Sequence, residues 1–421
     1  MGEDINRLVT TSSKKIPTAL VAGGAGFVGS GLCEALLNKE CRVVCVDNLS
    51  AGKKENLKGC FDNPRFVFLD HDVNHQFLSD FPRVDYIFHL AGIEEYLNEK
   101  DQNIETLSVN SIGTKNLLDL ANKFGAKFLL ASSVDVYRGA ISTMFLENYF
   151  GLSERDTRRY GHHEAKRFAE ALVSEYYRKK NLDCRICRLA NIYGPRMDLF
   201  SETEIASLVC AAVKKEPLRI FGEGLKVLHP TFVNDAIEGL IKAMVSEESR
   251  GKIYHLINPS SVTVLNLAYL LQKIVPEAKV FFSPEKEELK FPPQKIDMAP
   301  TYEELGWNPK TDLLDGLKKT IDDSMDKLVP KEVVASDTKD KLFVIGSQGP
   351  TIPELSFWQK ALFWVASFSF PRPKINLSFG ERAATIIPLT LLLASFLILL
   401  PVSFFSWRVK KAVFHLNQAR E

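Results

Sequence analysis

The chain has 421 residues, 45% hydrophobic and 25% charged, which is the composition of an ordinary globular protein with more than one domain. Its 53 basic and 52 acidic residues leave a formal net charge of +1, so no overall field attracts the protein to nucleic acid or to anionic lipid. Its seven cysteines stand mostly within apolar runs such as CRVVCV and DCRICRL. We therefore predict structural thiols in a reducing compartment rather than a metal site.

A polar tail opens the chain and is followed by an alternation of apolar runs and helical patterns. Residues 1–16 contain no apolar stretch of the kind that a signal peptide requires. Between residues 18 and 190, runs such as TALVAGG, RVVCVD and KFLLASS alternate with amphipathic segments. Strands that are apolar on both faces predict a parallel sheet covered by helices on both sides. We predict a doubly wound α/β fold of the Rossmann type over residues 17–194.

A glycine-rich segment, VAGGAGFVGS, follows the first predicted strand and opens the first predicted helix. It places Gly23, Gly26 and Gly29 at a GxxGxxG spacing. Glycine is needed where the backbone turns tightly, approaches a pyrophosphate or packs a helix on a strand, and the helix N-terminus offers N–H groups to phosphates. The segment predicts a dinucleotide site.

The second predicted strand, RVVCVD, ends in Asp47, eighteen residues after Gly29. A carboxylate at this position accepts hydrogen bonds from the adenosine ribose hydroxyls and repels a 2′-phosphate, which favours NAD over NADP. Lys53 and Lys54 lie further along and weaken this preference. We predict NAD as the cofactor.

Proline and glycine punctuate the next part of the chain, in GPRM, FGEG, LHPTF and FPPQ, around shorter helical patterns. Because strand and helix patterns alternate less regularly here, we predict a smaller substrate-binding lobe over residues 195–330, interleaved with the first domain. Residues 331–354 are polar and predict a linker.

An uncharged apolar segment, residues 383–407, lies near the C-terminus. Because about 20 helical residues cross a bilayer core, this segment predicts a single transmembrane helix rather than a buried core helix. Residues 355–375 mix Trp and Phe with Lys and Pro, which predicts an interfacial helix, and residues 408–421 form a short basic tail. We expect the protein to be tethered to a membrane with its catalytic domain in the cytosol.

Taken together, the motifs are similar to those of the extended short-chain dehydrogenases/reductases, in the nucleotide-sugar epimerase/dehydratase branch. In chain order, from about residue 17 to 325, they are GGAGFVGS, VDNLS, HDV, HLAG, NSIGTKNLL, ASSVDVY, HHEAKRFAE, RLANIYGPRM, FGEG and FVNDAIEGL. EAKRFAEAL, NIYGPRM and KKEPLRIFGEG most resemble UDP-glucuronate decarboxylases. The resemblance implies transient oxidation of a nucleotide sugar by NAD, with the hydride returned to the product.

The resemblance also implies which residues bind the cofactor and the substrate. Those that it assigns to NAD are Gly23, Gly26, Phe27, Val28, Gly29, Asp47, Asn48, Asp72, Val73, Leu90, Ala91, Gly92, Asn110 and Lys166. The substrate that it implies is a sugar linked to UDP, and the residues that it assigns to this nucleotide are Asn191, Arg196 and His229. A homodimer through the helix that carries Lys166 and the helix before it is also implied.

The catalytic residues that match the family are Ser133, Asp135 and Lys166, but the family's tyrosine is replaced by His162. Lys166 matches the cation that lowers the pKa of the catalytic base, Ser133 the hydroxyl that holds the substrate oxygen, and Asp135 a glutamate of the decarboxylases. An imidazole beside the same cations is expected to have a pKa below its usual value of about 6.5, so neutral His162 is a poorer base than tyrosinate. Tyr160 is an alternative base only if the helix begins with a distorted turn.

A second departure concerns the substrate phosphates. Many family members carry an arginine at the position of Leu228, which Lys226 or His229 could replace. Arg138 follows the tyrosine of VDVY, at a position where the family has a glycine. Its side chain either reaches an anionic substrate or lies in solvent.

Three functions compete on this sequence. The first is a membrane-tethered NAD-dependent enzyme that acts on a nucleotide sugar. The second is a catalytically silent NAD-binding scaffold or sensor, which the loss of the tyrosine and of the arginine would explain. The third is a membrane-anchored steroid or lipid alcohol dehydrogenase of the same superfamily.

Overall fold

The computed structural model describes residues 16–92, 103–137, 144–145, 160–201, 203–284 and 295–328. All of these residues belong to one compact unit, Met1–Val334. The predicted linker, interfacial helix and membrane segment, like Arg138, lie outside the described residues. Among the helices that are described, none combines the length and apolar character needed to cross a bilayer.

Seven parallel strands form the central sheet, because their apolar runs are buried on both faces. In chain order they are β1 (Thr18–Ala22), β2 (Arg42–Asp47), β3 (Phe66–Asp70), β4 (Tyr86–His89), β5 (Lys127–Ser133), β7 (Cys184–Leu189) and β12 (Ile253–Leu256). Across the sheet their order is β12-β7-β5-β4-β1-β2-β3, and each neighbouring pair is parallel. The predicted doubly wound Rossmann-type sheet is confirmed.

Helices cover both faces of this sheet, and further helices pack in the region after residue 194. They are α1 (Phe27–Asn38), α2 (Lys58–Phe61), α3 (Asn103–Ser108), α4 (Thr114–Phe124), α5 (Tyr160–Lys180), α6 (Glu204–Val213), α7 (Val233–Val245), α8 (Val264–Ile274), α9 (Ala299–Leu305) and α10 (Leu313–Leu328). Alternate residues of β1 enter different cores: Ala19 and Val21 pack with α1 and α7, whereas Leu20 and Ala22 pack with α4 and α5. This alternation is the physical basis of a sheet that is buried on both sides.

Four two-stranded sheets complete the described structure. Their strands are β6 (Met144–Phe145), β8 (Ile192–Tyr193), β9 (Leu218–Phe221), β10 (Val227–Leu228), β11 (Thr231–Phe232), β13 (Val262–Thr263), β14 (Val280–Ser283) and β15 (Lys295–Ile296). The pairs are β10 with β13, β11 with β8, β14 with β9 and β15 with β6. Because β12 and α7 return to the central sheet, the region after residue 194 contributes to both parts of the fold.

All seven cysteines are free thiols. Cys184 and Cys187 lie on β7, and burial raises the pKa of each thiol to about 12. Both are therefore protonated at neutral pH, which agrees with the predicted structural role.

Candidate active site

The glycine loop between β1 and α1 is packed so closely that side chains are excluded from it. Gly23 has a φ of +79°, and a Cβ on this residue would lie 2.5 Å from the amide nitrogen of Ala91. A Cβ on Gly29 would lie 2.1 Å from the carbonyl oxygen of Gly23. Gly26 is the N-cap residue of α1, and no side chain of the described residues caps this helix. The first-turn N–H groups, which include those of Phe27 and Val28, are therefore arranged to receive a phosphate.

Asp47 ends β2 beside this loop and is buried. Its two carboxylate oxygens accept hydrogen bonds from the backbone N–H of Ala25 at 2.9 Å and of Leu49 at 2.8 Å. Burial raises the pKa of Asp47, and these two N–H groups oppose the rise. Lys54 lies with Nζ 5.3 Å from the centre of the Phe68 ring.

Three more of the residues predicted to bind NAD follow β2 and β3. Asp72, after β3, accepts a hydrogen bond from the backbone N–H of Asn74 at 2.8 Å, and Val73 is buried. Asn48, after β2, is exposed and accepts a hydrogen bond from the N–H of Ser50 at 3.1 Å. Each side chain thus shapes the turn in which it lies.

Residues 90–92 continue from β4 toward Lys166, and the Leu90 N–H donates to the carbonyl of Ala22 at 2.9 Å. Across from them, Asn110 lies in a π-helical segment, Val109–Gly113, and is fully buried. Its Nδ2 donates to the carbonyl of Thr106 at 2.9 Å, but within the described part of the chain its Oδ1 has no hydrogen-bond partner. Single π turns inside helices are frequent at functional sites.

Lys166 lies on the buried face of α5, with its Nζ bonded to the carbonyl of Ala131 on β5 at 3.1 Å. A Cβ placed on Gly92 would lie 3.5 Å from this Nζ, so the ammonium group is next to the end of β4. His162 is also buried and stands one helical turn before Lys166, on the same face. The structure therefore brings the predicted base and cation together.

Ser133 and Asp135 form a reciprocal pair at the end of β5. The hydroxyl of Ser133 donates to Asp135 Oδ2 at 3.1 Å and accepts the backbone N–H of Asp135 at 3.1 Å. The carboxylate of Asp135, although one methylene shorter than that of a glutamate, therefore orients the hydroxyl of Ser133.

The helix geometry does not favour Tyr160 as a replacement base. Helix α5 begins at Tyr160, so positions 160 and 162 are both helical and lie about 200° apart around the axis.

His89 is a buried neighbour of Lys166 that sequence reasoning did not identify. Its Nε2 is 2.9 Å from the hydroxyl of Thr114, and that hydroxyl donates to the carbonyl of Asn110 at 2.7 Å. The hydroxyl has a single proton, so Nε2 of His89 carries the ring proton and donates it. Burial and, to a smaller extent, the charge of Lys166 lower the pKa of His89 to about 3. The ring is therefore neutral.

The residues predicted to bind substrate interact with the protein itself. Asn191 Oδ1 accepts the backbone N–H of His229 at 3.0 Å, and His229 Nδ1 donates to the carbonyl of Asn258 at 3.0 Å. Arg196 pairs with Glu34 of α1 at 2.6 Å, which joins the second lobe to the first helix. A substrate role for these three residues remains a prediction.

The phosphate arginine of the family has no equivalent at its aligned position. Leu228 is buried in the hydrophobic core, and Lys226 forms an ion pair with Glu204.

These features fit NAD. The closely packed glycines and the first turn of α1, which no described side chain caps, suit a pyrophosphate. The Oδ1 of Asn110, which has no partner among the described residues, suits a polar ligand group, and Asp47 suits a ribose without a 2′-phosphate. The fold and these residues define a dinucleotide-binding α/β protein in which a helix with a buried lysine lies beside the end of β4.

Comparisons with known proteins agree with this class. Residues 19–256 match the NAD dependent epimerase/dehydratase family. The chain is 37% identical over 311 residues to UDP-glucuronic acid decarboxylase 4 of Arabidopsis thaliana, across 74% of this chain and 69% of that protein. It is 33% identical to UDP-glucuronic acid decarboxylase 1 of Danio rerio, across 74% and 73% of the two chains.

Solved structures show the same architecture. UDP-glucose 4-epimerase of Thermotoga maritima superposes with a TM-score of 0.64 at 26% identity, covering 74% of this chain and 99% of that chain. UDP-glucuronic acid 4-epimerase of Bacillus cereus, in complex with UDP-glucuronic acid and NAD, superposes with a TM-score of 0.63 at 25% identity, covering 72% and 98%. The chain belongs to the NAD dependent epimerase/dehydratase family, and the predicted enzyme class and cofactor are confirmed.

Proposed function

We propose that the protein is a UDP-glucuronate decarboxylase-type enzyme in which His162 takes the place of the usual tyrosine. The observation that carries this proposal is the arrangement of Lys166, which contacts the end of β5 and lies next to Gly92, with His162 one turn before it. The similarity to UDP-glucuronic acid decarboxylases over about three quarters of the chain supports the choice of substrate.

In the proposed reaction a sugar hydroxyl is oxidised to a ketone, which makes the bond to the carboxylate labile. Carbon dioxide then leaves, and the enolate that remains takes up a proton from solvent before the ketone is reduced again. When bound by the glycine loop and Asp47, NAD would supply a hydride acceptor for the oxidation and a hydride donor for the final reduction. Neutral His162 accepts the hydroxyl proton, and the hydroxyl of Ser133 holds the same substrate oxygen. The charge of Lys166 stabilises the alkoxide that develops there, and Asp135 keeps the serine hydroxyl oriented.

The experiment is incubation of the full-length protein with NAD and a panel of nucleotide sugars headed by UDP-glucuronate, with products identified by mass spectrometry. We expect a UDP-pentose and carbon dioxide from UDP-glucuronate, without accumulation of NADH, because the hydride returns. Accumulation of NADH with equal amounts of a stable keto-sugar would contradict the decarboxylase assignment and indicate a dehydrogenase.

A second candidate, a silent NAD-binding scaffold, is favoured by one specific observation. Leu228 is buried at the position where the family resemblance predicts an arginine, and His162 stands where it predicts a tyrosine, so two expected features are altered together. Protein that retains NAD but converts none of the sugars, and that His162→Tyr does not activate, would establish this candidate.

We also propose that residues 383–407 anchor the protein to a membrane, with the catalytic unit on the cytosolic side. The support is the uncharged apolar character of this segment, which is long enough to cross a bilayer. Resistance of the full-length protein to alkaline extraction from membranes, together with its release when residues 383–407 are deleted, would support the anchor. Equal extraction of both forms would refute it.

A homodimer is proposed through a face formed by α3, the π-helical segment and α5. Three large apolar side chains on this face are exposed: Ile104 (76%), Ile112 (51%) and Phe168 (52%). A second copy would bury them. Sedimentation should show a dimer that Ile104→Lys with Phe168→Lys converts to monomer, and a monomeric wild-type protein would refute this proposal.

A further inference from the structure

Five polar side chains form a continuous buried network behind the candidate active site. None is more than 5% exposed, and they are Ser132, Tyr137, Glu170, Arg188 and His255. They come from β5, the turn after it, α5, β7 and β12. Buried polar groups require hydrogen-bond partners, because each buried group without one lowers the stability of the fold.

Glu170 is the centre of the network. Its Oε1 accepts hydrogen bonds from Ser132 Oγ at 2.5 Å and from Arg188 Nε at 3.0 Å, and its Oε2 accepts from Arg188 Nη2 at 2.6 Å. The two bonds from Arg188 form a bidentate pair, which fixes orientation as well as distance.

Arg188 carries the network onward to Tyr137 and His255. Its Nη1 donates to the hydroxyl of Tyr137, and its guanidinium lies 4.8 Å from the centre of the tyrosine ring. The tyrosine hydroxyl is 2.7 Å from His255 Nε2, and His255 Nδ1 is 2.8 Å from the carbonyl of Asp297. A carbonyl oxygen only accepts hydrogen bonds, so Nδ1 of His255 carries the ring proton. Nε2 of His255 therefore accepts a hydrogen bond from the hydroxyl of Tyr137.

This network is joined directly to the residues of the proposed reaction. Glu170 follows Lys166 by one helical turn, and Ser132 precedes Ser133. Helix α5 is consequently bonded to the end of β5 at two successive residues, through Lys166 to the carbonyl of Ala131 and through Glu170 to Ser132. A shift of the helix along the strand would break both bonds.

The stability of the fold gives no sufficient reason for such a network. Taking two charges out of water is unfavourable, and apolar residues of similar volume often replace a buried ion pair without loss of stability. A bidentate ion pair fixes the relative orientation of its two side chains, whereas an apolar pair of similar volume does not.

We propose that Glu170, Arg188 and Tyr137 are positioning residues that hold Lys166 and Ser133 in their reactive arrangement. At its other end the network reaches Asp297 and, through the backbone of His255, the hydroxyl of Thr301 at 3.0 Å. The proposal rests on the proposed function, since the reactive arrangement is that of sugar oxidation.

The test is the full-length double variant Glu170→Met with Arg188→Met, which removes both charges together and leaves neither buried alone. Misplacement of reacting groups by about 1 Å costs on the order of 100-fold in rate. We therefore expect kcat for UDP-glucuronate to fall by at least about tenfold, with KM and the Kd for NAD within about threefold of wild type.

A second buried arginine on the same strand provides the matched control. Arg185 pairs with Asp183 at 2.6 Å and bonds to Ser249, away from α5. Arg185→Met with Asp183→Asn should leave kcat near the wild-type value at temperatures where the protein is folded. An equal fall of kcat in both double variants would overturn the proposal. The loss of activity would then follow from removing any buried ion pair, not from the particular position of this network.

A single-atom change keeps the proposal testable if the double variant does not fold. Tyr137→Phe preserves the ring and removes only the hydroxyl that joins Arg188 to His255. A fall of kcat by about threefold or more at unchanged KM supports the network, and wild-type kcat contradicts it.

Failure of the proposed function would be recognised separately, because the wild-type protein would then convert no UDP-glucuronate. In that case the pKa of His162 is measured by NMR of histidine-labelled protein. The charge of Lys166, one turn away, acts on this pKa, so the Glu170 and Arg188 double variant should shift it and the Arg185 control should not. Equal values in the two variants would overturn the positioning role.

Discussion

The buried imidazole of His89 should make the protein lose stability as the pH falls from neutral to about 5. In the folded protein the pKa of His89 is about 3, because burial and then the charge of Lys166 disfavour the imidazolium. In the unfolded chain the pKa is expected near 6.5. The unfolded chain therefore binds a proton in a range where the folded protein does not.

The size of the effect follows from these two values. Stability from neutral His89 is fully present above about pH 6.5 and is lost progressively down to about pH 3. Each pH unit in this window corresponds to about 1.4 kcal/mol, so the free energy of unfolding should fall by about 2 kcal/mol between pH 7.5 and pH 5 on this account alone.

The assay is denaturant unfolding of the full-length protein at both pH values, for wild type and for His89→Gln. An amide retains a donor for Thr114 but does not titrate, so the variant should lose about 2 kcal/mol less than wild type between the two pH values. His75→Gln, which replaces an exposed histidine, is the matched control and should behave like wild type. Losses for wild type and His89→Gln that agree within about 0.5 kcal/mol would refute the reasoning.

Three further substitutions test the site. Gly29→Ala should abolish NAD binding in calorimetry, since its Cβ would lie 2.1 Å from Gly23 O, whereas Gly59→Ala meets only the flexible end of a side chain and should bind normally. Lys166→Met should lower kcat by about 100-fold or more at every pH, and a smaller loss would exclude an electrostatic role. His162→Tyr should retain turnover and move the rising limb of the pH–rate profile to higher pH, and an unchanged profile would show that residue 162 is not the base.

The parts of the fold that local sequence determines were predictable. Apolar runs such as those of β1 and β5 are buried on both faces, which dictates a parallel sheet between helices, and the glycine loop has its required spacing within seven residues. The one-turn separation of His162 and Lys166 also follows from helix geometry.

The long-range partners of polar side chains were not predictable in the same way. A local motif predicts that Arg196 binds substrate, and its partner within the protein, Glu34, lies 162 residues earlier in the chain. Glu170 and Arg188 were overlooked, although a signal existed: an arginine within the apolar strand CRICRL is buried and requires an anionic partner. Which carboxylate supplies it depends on the packing of α5 against the sheet, and that packing is a property of the whole fold.

The most direct test of the central claim is the mass of UDP-glucuronate after incubation with the full-length protein and NAD, with His162→Ala in parallel. We predict that the wild-type protein removes the mass of carbon dioxide from the substrate, and that the variant, still carrying NAD, does so at least about 100 times more slowly. Unchanged UDP-glucuronate in the presence of NAD-loaded wild-type protein would contradict the decarboxylase function, and equal rates for both proteins would contradict the role of His162 as base.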